Sequence, residues 1–268
     1  MSERRTTRVP LPSGVELAVD IYTADSGTVD DEPCGALIAV HGFGSGRRGG
    51  KIEELGTALP AFGWTVIALD LQGHGDSGGG FDLTTVARSI GDVRRVAELP
   101  EFRDAPRRVL VGSSFGGVVA AWAAVEDPTL CDRLALIAPA FGFLDRYLLT
   151  LPDDERAAWE GGATHALRVP HLAGQELAAS VLNDRTRHSW RRLAELLVTP
   201  TLIIHGLRDE TVPWQATIDF TDASERDDLD VILLGGGDHR LAEQMGELTH
   251  HIHRFASGND SCHTRPDN

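Results

Sequence analysis

The sequence predicts an α/β fold: a mostly parallel, doubly wound sheet with a helical lid insertion. Three observations carry this. Strand-like and helix-like patterns alternate along most of the 268 residues, the signature of parallel βαβ units. Several strand segments are continuous apolar runs, as strands covered on both faces should be. The alternation breaks once, between about Phe141 and Val198, where the chain becomes polar and helical.

In order, "VELAVDIY" (15–22), "GALIAV" (35–40), "TVIALD" (65–70), "RRVLVG" (107–112), "RLALIAP" (133–139), "PTLIIHG" (200–206) and "DVILLG" (230–235) read as strands. Helical periodicity appears at 85–99, 116–126 and 241–255. The expected organisation is one domain over 1–257, with a lid insertion at about 141–198 and a disordered polar tail over 258–268. Trp159, Tyr147 and Trp190 are scattered through the insertion and suggest an apolar lid. The N-terminus "MSERRTTRVP" lacks an apolar signal core and is read as mature protein.

Composition narrows the function classes. A formal net charge of −15 leaves no basic surplus for a phosphate-backbone partner, so no nucleic acid is expected. Lys51 is the only lysine. Cys34, Cys131 and Cys262 are odd in number and lack metal-ligand spacing, which argues against a disulfide framework and for a reducing, cytoplasmic location. No run approaches the roughly 18 apolar residues of a membrane span.

Two glycine clusters compete for the chemistry. In "HGFGSGRRGG", Gly44, Gly46 and Gly49 spell G-x-G-x-x-G, with Asp70 closing the next strand at the distance of a ribose-binding acid. Yet His41, Gly42 and Phe43 separate the strand end at Val40 from the first glycine, and at least one strand precedes this one. A phosphate loop fails too, because Ser45 and Ile52 stand where glycine and a magnesium-binding hydroxyl belong. A dinucleotide site is therefore the weaker reading, and Asp70 is expected to be structural.

The second cluster, Gly112-Ser113-Ser114-Phe115-Gly116, is G-x-S-x-G between a strand and a helix. A nucleophile on that sharp turn stands clear of the sheet, and the positions two before and two after it must be small. Ser114 meets the condition. Ser113 would be flanked by Val111 and Phe115 and does not. A serine needs a base and an orienting acid, which this turn predicts in the order Ser, Asp, His. Asp209 lies just past a strand end, with Glu210 its nearest rival. His239 lies in the loop after the last strand, and the adjacent Asp238 is expected to point elsewhere. His250, His251 and His253 are expected to be solvated helix positions and not metal ligands. The N–H groups of Phe43 and Phe115 would supply an oxyanion hole.

The segments "HGFGSG", "DLQGHGDSGG", "VGSSFGG", "HGLRDETVPW" and "GGGDHRL", in that order, resemble the α/β-hydrolase superfamily over about residues 14–257. "VGSSFGG", "RDETVPW" and "DVILLGGGDHRL" look most like the small lidded esterases and thioesterases, a group with mitochondrial acyl-protein thioesterases and acyl-glucuronide esterases. Cinnamoyl and feruloyl esterases and monoglyceride lipases are similar at a coarser level. Dehalogenase and epoxide-hydrolase relatives carry an aspartate where this chain has Ser114. The resemblance implies Ser114 as nucleophile, His239 as base, Asp209 as its orienting acid, and Phe43 and Phe115 as oxyanion donors. It implies a small-molecule acyl ester or thioester as substrate, acted on without a metal or organic cofactor. Acyl transfer or aminopeptidase-like hydrolysis on the same fold is the alternative. Leaving group, acyl length and oligomeric state stay open.

Overall fold

Strands that are apolar on both faces need helices above and below them, and this chain supplies both layers. The computed structural model describes residues 2–24, 34–169 and 172–258. The chain begins with β1 (Ser2–Pro10), β2 (Glu16–Ala24), β3 (Gly35–Val40), α1 (Gly50–Ala58) and β4 (Trp64–Leu69). Next come α2 (Val86–Ala97), α3 (Pro100–Arg103), β5 (Arg108–Ser113), α4 (Phe115–Glu126) and β6 (Arg133–Ile137). The inserted segment holds α5 (Phe143–Leu149), α6 (Asp153–Glu160), β7 (His165–Ala166), β8 (Glu176–Leu177), α7 (Asp184–Arg187) and α8 (Trp190–Leu196). The chain then returns through β9 (Thr201–Gly206), α9 (Gln215–Ser224), β10 (Leu229–Leu234) and α10 (Met245–Ser257).

Eight strands form one sheet in the order β1-β2-β4-β3-β5-β6-β9-β10. β1 and β2 pair antiparallel, as do β2 and β4, and every pairing from β4 to β10 is parallel. The seven expected strands are present to within about two residues. The edge strand β1 was not among them. Its Arg4, Arg5 and Arg8 keep it mostly exposed, so its pattern reads as polar chain, and such charges also protect an open edge from pairing with another molecule.

Side chains alternate across the sheet with period two. Ala36, Ile38 and Val40 of β3 face a core completed by Val86, Ile90 and Val93 of α2, Val119 and Trp122 of α4, and Phe220 of α9. Leu37 and Ala39 face the opposite core, with Ile52 and Leu55 of α1 and Leu248 and Ile252 of α10. Burial of each large apolar side chain contributes about 1.5–3 kcal/mol against chain entropy. A third, smaller cluster of Leu148, Leu151, Trp159, Leu167, Leu172, Leu177 and Val181 lies within the inserted segment, and Phe43 and Phe81 pack against it.

One expectation needs correction here. Cys34 is disulfide-bonded, although the spacing of three cysteines gave no sign of a bridge, and it removes one support for a reducing compartment. Cys131 is a free, buried thiol pushed up to about 12 by its burial. Cys262 and the rest of the expected tail beyond Gly258 lie outside the described residues. Among the described residues no helix is long and apolar enough to cross a membrane.

Candidate active site

A parallel sheet sends the loops after its strands to one edge. The loops after β3, β5, β9 and β10 carry Phe43, Ser114, Asp209 and His239, so all the expected site residues share that edge.

The turn from β5 into α4 leaves no room for side chains. A methyl group at Gly112 would lie 2.3 Å from the Gly116 oxygen, and one at Gly116 would lie 2.3 Å from the Val40 oxygen. Between them Ser114 adopts φ 55°, ψ −117°, a region that costs a non-glycine residue about 1–3 kcal/mol. Hydrogen bonds hold it there. Ser114 N donates to Ile137 O at 2.9 Å, and Ser114 O accepts from Gly117 N at 3.0 Å and Ala140 N at 3.1 Å. Ser113, the rival, is a buried member of β5 paired with Ile137.

Beside the turn lies the loop after β3. A methyl at Gly42 would come within 3.2 Å of Ser114 Cβ and 3.8 Å of its Oγ, so this main chain rests against the hydroxyl. Phe43 follows, its ring 5.7 Å from that of Phe115. His41 fixes the loop from beneath. Its Nε2 accepts from Leu71 N–H at 3.0 Å, which leaves Nδ1–H to donate to Gly42 O at 2.8 Å. Burial, helped by the neighbouring His74 ring, holds His41 down to about 4, so the imidazole is neutral. The sequence gave no hint of this role, because both partners of His41 are main-chain groups.

The opening glycines belong to the same loop. A methyl at Gly44, which has φ +69°, would collide with Leu172, and one at Gly46 would reach within 2.9 Å of Asp70 Oδ1. Asp70 accepts from Arg47 N at 2.6 Å and Asp76 N at 2.8 Å and pairs with the Arg47 side chain. It is thus a buried clamp between two loops, as expected of a structural acid. Asp20 completes the clamp at 3.2 Å from Arg47 and 2.8 Å from Arg48. Its burial would raise its pKa, but bonds from Arg48, Thr6 and Arg47 outweigh that and lower it to about 2.

In the loop after β10, His239 Nδ1 donates to Asp209 Oδ2 at 2.7 Å. The other oxygen of Asp209 accepts from Thr211 N at 2.9 Å and Val212 N at 2.8 Å. His205 lies 3.3 Å from Oδ2, another partner that the sequence did not reveal, since it reads as part of a strand. Burial of Asp209 opposes its charge, yet hydrogen bonds from His205, His239 and Val212 hold its carboxyl well below the ordinary range. Glu210 is exposed. Asp238 points away and accepts from Arg240 N and Leu241 N at 2.9 and 2.8 Å. Among the described residues the imidazole of His239 bonds Asp209, and no hydrogen bond joins it to Ser114 Oγ. Such contacts commonly tighten only when substrate is present.

Beyond Phe43 and Phe115 a cleft opens between the sheet edge and the inserted segment. Val118, Phe143, Leu177 and Trp190 make it largely apolar. No group of three or more His, Cys, Asp or Glu residues suited to a metal occurs among the described residues. His250 is exposed, but His253 is buried, accepts from Trp64 Nε1 at 3.1 Å and stacks on Phe62. It corrects the expectation of a solvated position.

Known proteins agree with this architecture. The family model described as serine aminopeptidase, S33, matches residues 31–184. The mouse mitochondrial palmitoyl-protein thioesterase ABHD10 is 29% identical over 210 residues, covering 78% of this chain and 70% of that protein. The pimeloyl-[acyl-carrier protein] methyl ester esterase of Neisseria meningitidis is 31% identical over 233 residues, covering 80% and 79%. The solved structure of mouse alpha/beta hydrolase domain-containing protein 10 superposes with a TM-score of 0.76 at 24% identity, over 92% of this chain and 96% of that one. That likeness shows the α/β-hydrolase fold, and a family match over more than half of the sequence places this chain among the hydrolases of the serine aminopeptidase S33 family.

Proposed function

We propose that this enzyme is a serine hydrolase that cleaves carboxylic esters or thioesters through an acyl-enzyme on Ser114. One observation carries the reading: the strained turn presents Ser114 at the sheet edge where Asp209 orients the His239 imidazole. In the neutral imidazole, with Nδ1–H given to Asp209, His239 Nε2 takes the Oγ proton as Oγ attacks the carbonyl carbon. The N–H groups of Phe43 and Phe115 stabilise the oxyanion, in a role whose donors are typically worth about 2.7–4 kcal/mol each. Collapse breaks the bond to the leaving group, which takes the proton from His239. Water then gives a proton to His239 and its oxygen to the acyl carbon, releasing the acid and restoring Ser114.

Esterase, thioesterase and lipase relatives support the bond class. The apolar cleft supports an acyl group of small-molecule size, with segment 141–198 as its lid. Aminopeptidase chemistry is the weaker reading. A free peptide ammonium wants an unengaged carboxylate, whereas the cleft's Asp145 pairs with Arg185 and its Asp184 serves Val86 N and His188. The cytoplasmic placement expected from the sequence is kept as part of the proposal, with bonded Cys34 as the observation against it.

Ser114→Ala is expected to reduce p-nitrophenyl ester hydrolysis to background and to abolish fluorophosphonate labelling, a loss on the order of a millionfold where a triad acts as a unit. Labelling retained in that variant would move the nucleophile elsewhere.

A further inference from the structure

We infer that Lys51 is a positioning residue for the general base, its ammonium holding the main chain of His239 in register with the Ser114 turn. The inference rests on the serine-hydrolase reading above. Lys51 Nζ donates to the His239 carbonyl oxygen at 2.5 Å, across 188 residues of sequence. It stands at the start of α1, directly after the loop that bears Phe43. One side chain therefore ties the oxyanion loop to the loop of the base, which otherwise hang from different strands. A charge-assisted hydrogen bond is roughly twice as strong as a neutral one, so the tie fixes where the imidazole stands relative to Oγ.

Composition sharpens the argument. Every other member of the Lys/Arg class in this sequence is arginine, so lysine at this position is the exception. An ammonium is compact, makes a point contact and can lose its proton, whereas a planar guanidinium stays charged. The groups that face Lys51 are Asp209 from the loop after β9, and Asp238 and Arg240 from the loop of His239 itself. Asp209 is fully buried beside imidazole partners, and Lys51 is a cation close enough to favour its charge. Burial is the largest influence on the ammonium and pushes it down to about 8, against the pull of the two carboxylates. The tie thus weakens as pH rises through about 8.

The test compares Lys51→Met and Lys51→Arg with the wild type, using a soluble p-nitrophenyl ester from pH 6 to 10. Lys51→Met should lower kcat by about tenfold to a hundredfold, the scale of a small misplacement at the reacting centre, with KM within about twofold. Wild-type kcat should fall as pH rises through about 8, and Lys51→Arg, charged throughout, should keep most activity without that limb. Folding is controlled by chemistry on the intact protein, since Lys51 and the N-terminus are the only amines. Reductive methylation, which keeps the charge, should spare activity, and acetylation, which removes it, should not. Wild-type kcat in Lys51→Met, or an unchanged alkaline limb in Lys51→Arg, overturns the inference. Failure of the wild type to react with fluorophosphonate at Ser114 would instead overturn the reading on which it rests.

Discussion

His41 carries a proton on one nitrogen and accepts one hydrogen bond on the other, so a second proton has nowhere to go. Its folded pKa of about 4 lies below the ordinary 6.5, and the unfolded chain therefore binds more protons between those values. The stability it lends is complete above about pH 6.5 and is lost as pH falls toward 4, a loss on the order of 3 kcal/mol. Urea midpoints across that window should show a shallower decline in His41→Gln than in the wild type, and parallel curves would contradict the assignment. The placement of Ser114, Asp209 and His239 after strands at one sheet edge was legible in the sequence because its signals are local: glycine spacing around a turn, and position after a strand end. His41 and Lys51 were not, because their partners are main-chain groups, and His205 was not, because it reads as part of a strand although Asp209 lies only four residues on. The same limit hid the burial of His253, whose partner Trp64 lies 189 residues away.

Glycine shows how an element sets the chemistry of a residue. At Gly116 the obstacle to a side chain is the Val40 main chain, which cannot yield. Gly116→Ala should therefore cost about 1–3 kcal/mol of stability or more and tilt Ser114 out of place, with loss of fluorophosphonate labelling. Gly91, on the exposed face of α2, has nothing within 4 Å of an added methyl. Gly91→Ala should instead stabilise by about 0.4–1 kcal/mol and leave activity unchanged. Denaturant melts of the two variants check both signs. Strands β3, β5, β6 and β9 were readable as buried apolar runs, and α2, α4 and α10 as periodic ones. β1 escaped because a solvated edge strand has no apolar pattern to display. The two-residue strands β7 and β8 are too short to carry a pattern at all.

The whole molecule is an edge assembled from loops that the sheet brings together, covered by a segment with a small core of its own. Phe43 joins the two, since the Gly42 before it rests against Ser114 while its own ring packs with Phe81 and the cluster around Trp159. Any movement of the inserted segment therefore reaches the loop after β3 through contact. Sequence order alone foretold the convergence of the strand ends, because winding rules for parallel sheets are few. It did not foretell the cleft, whose walls come from the inserted segment, where patterns are short and polar.

Under the proposed mechanism Ser114 carries the acyl group during turnover. Acid quenching during hydrolysis of a p-nitrophenyl ester, followed by peptide mass mapping, tests it directly. One acyl group per chain is expected, on Ser114, and none after Ser114→Ala. Steady hydrolysis with Ser114 unmodified, or with the acyl group on another side chain, would contradict it.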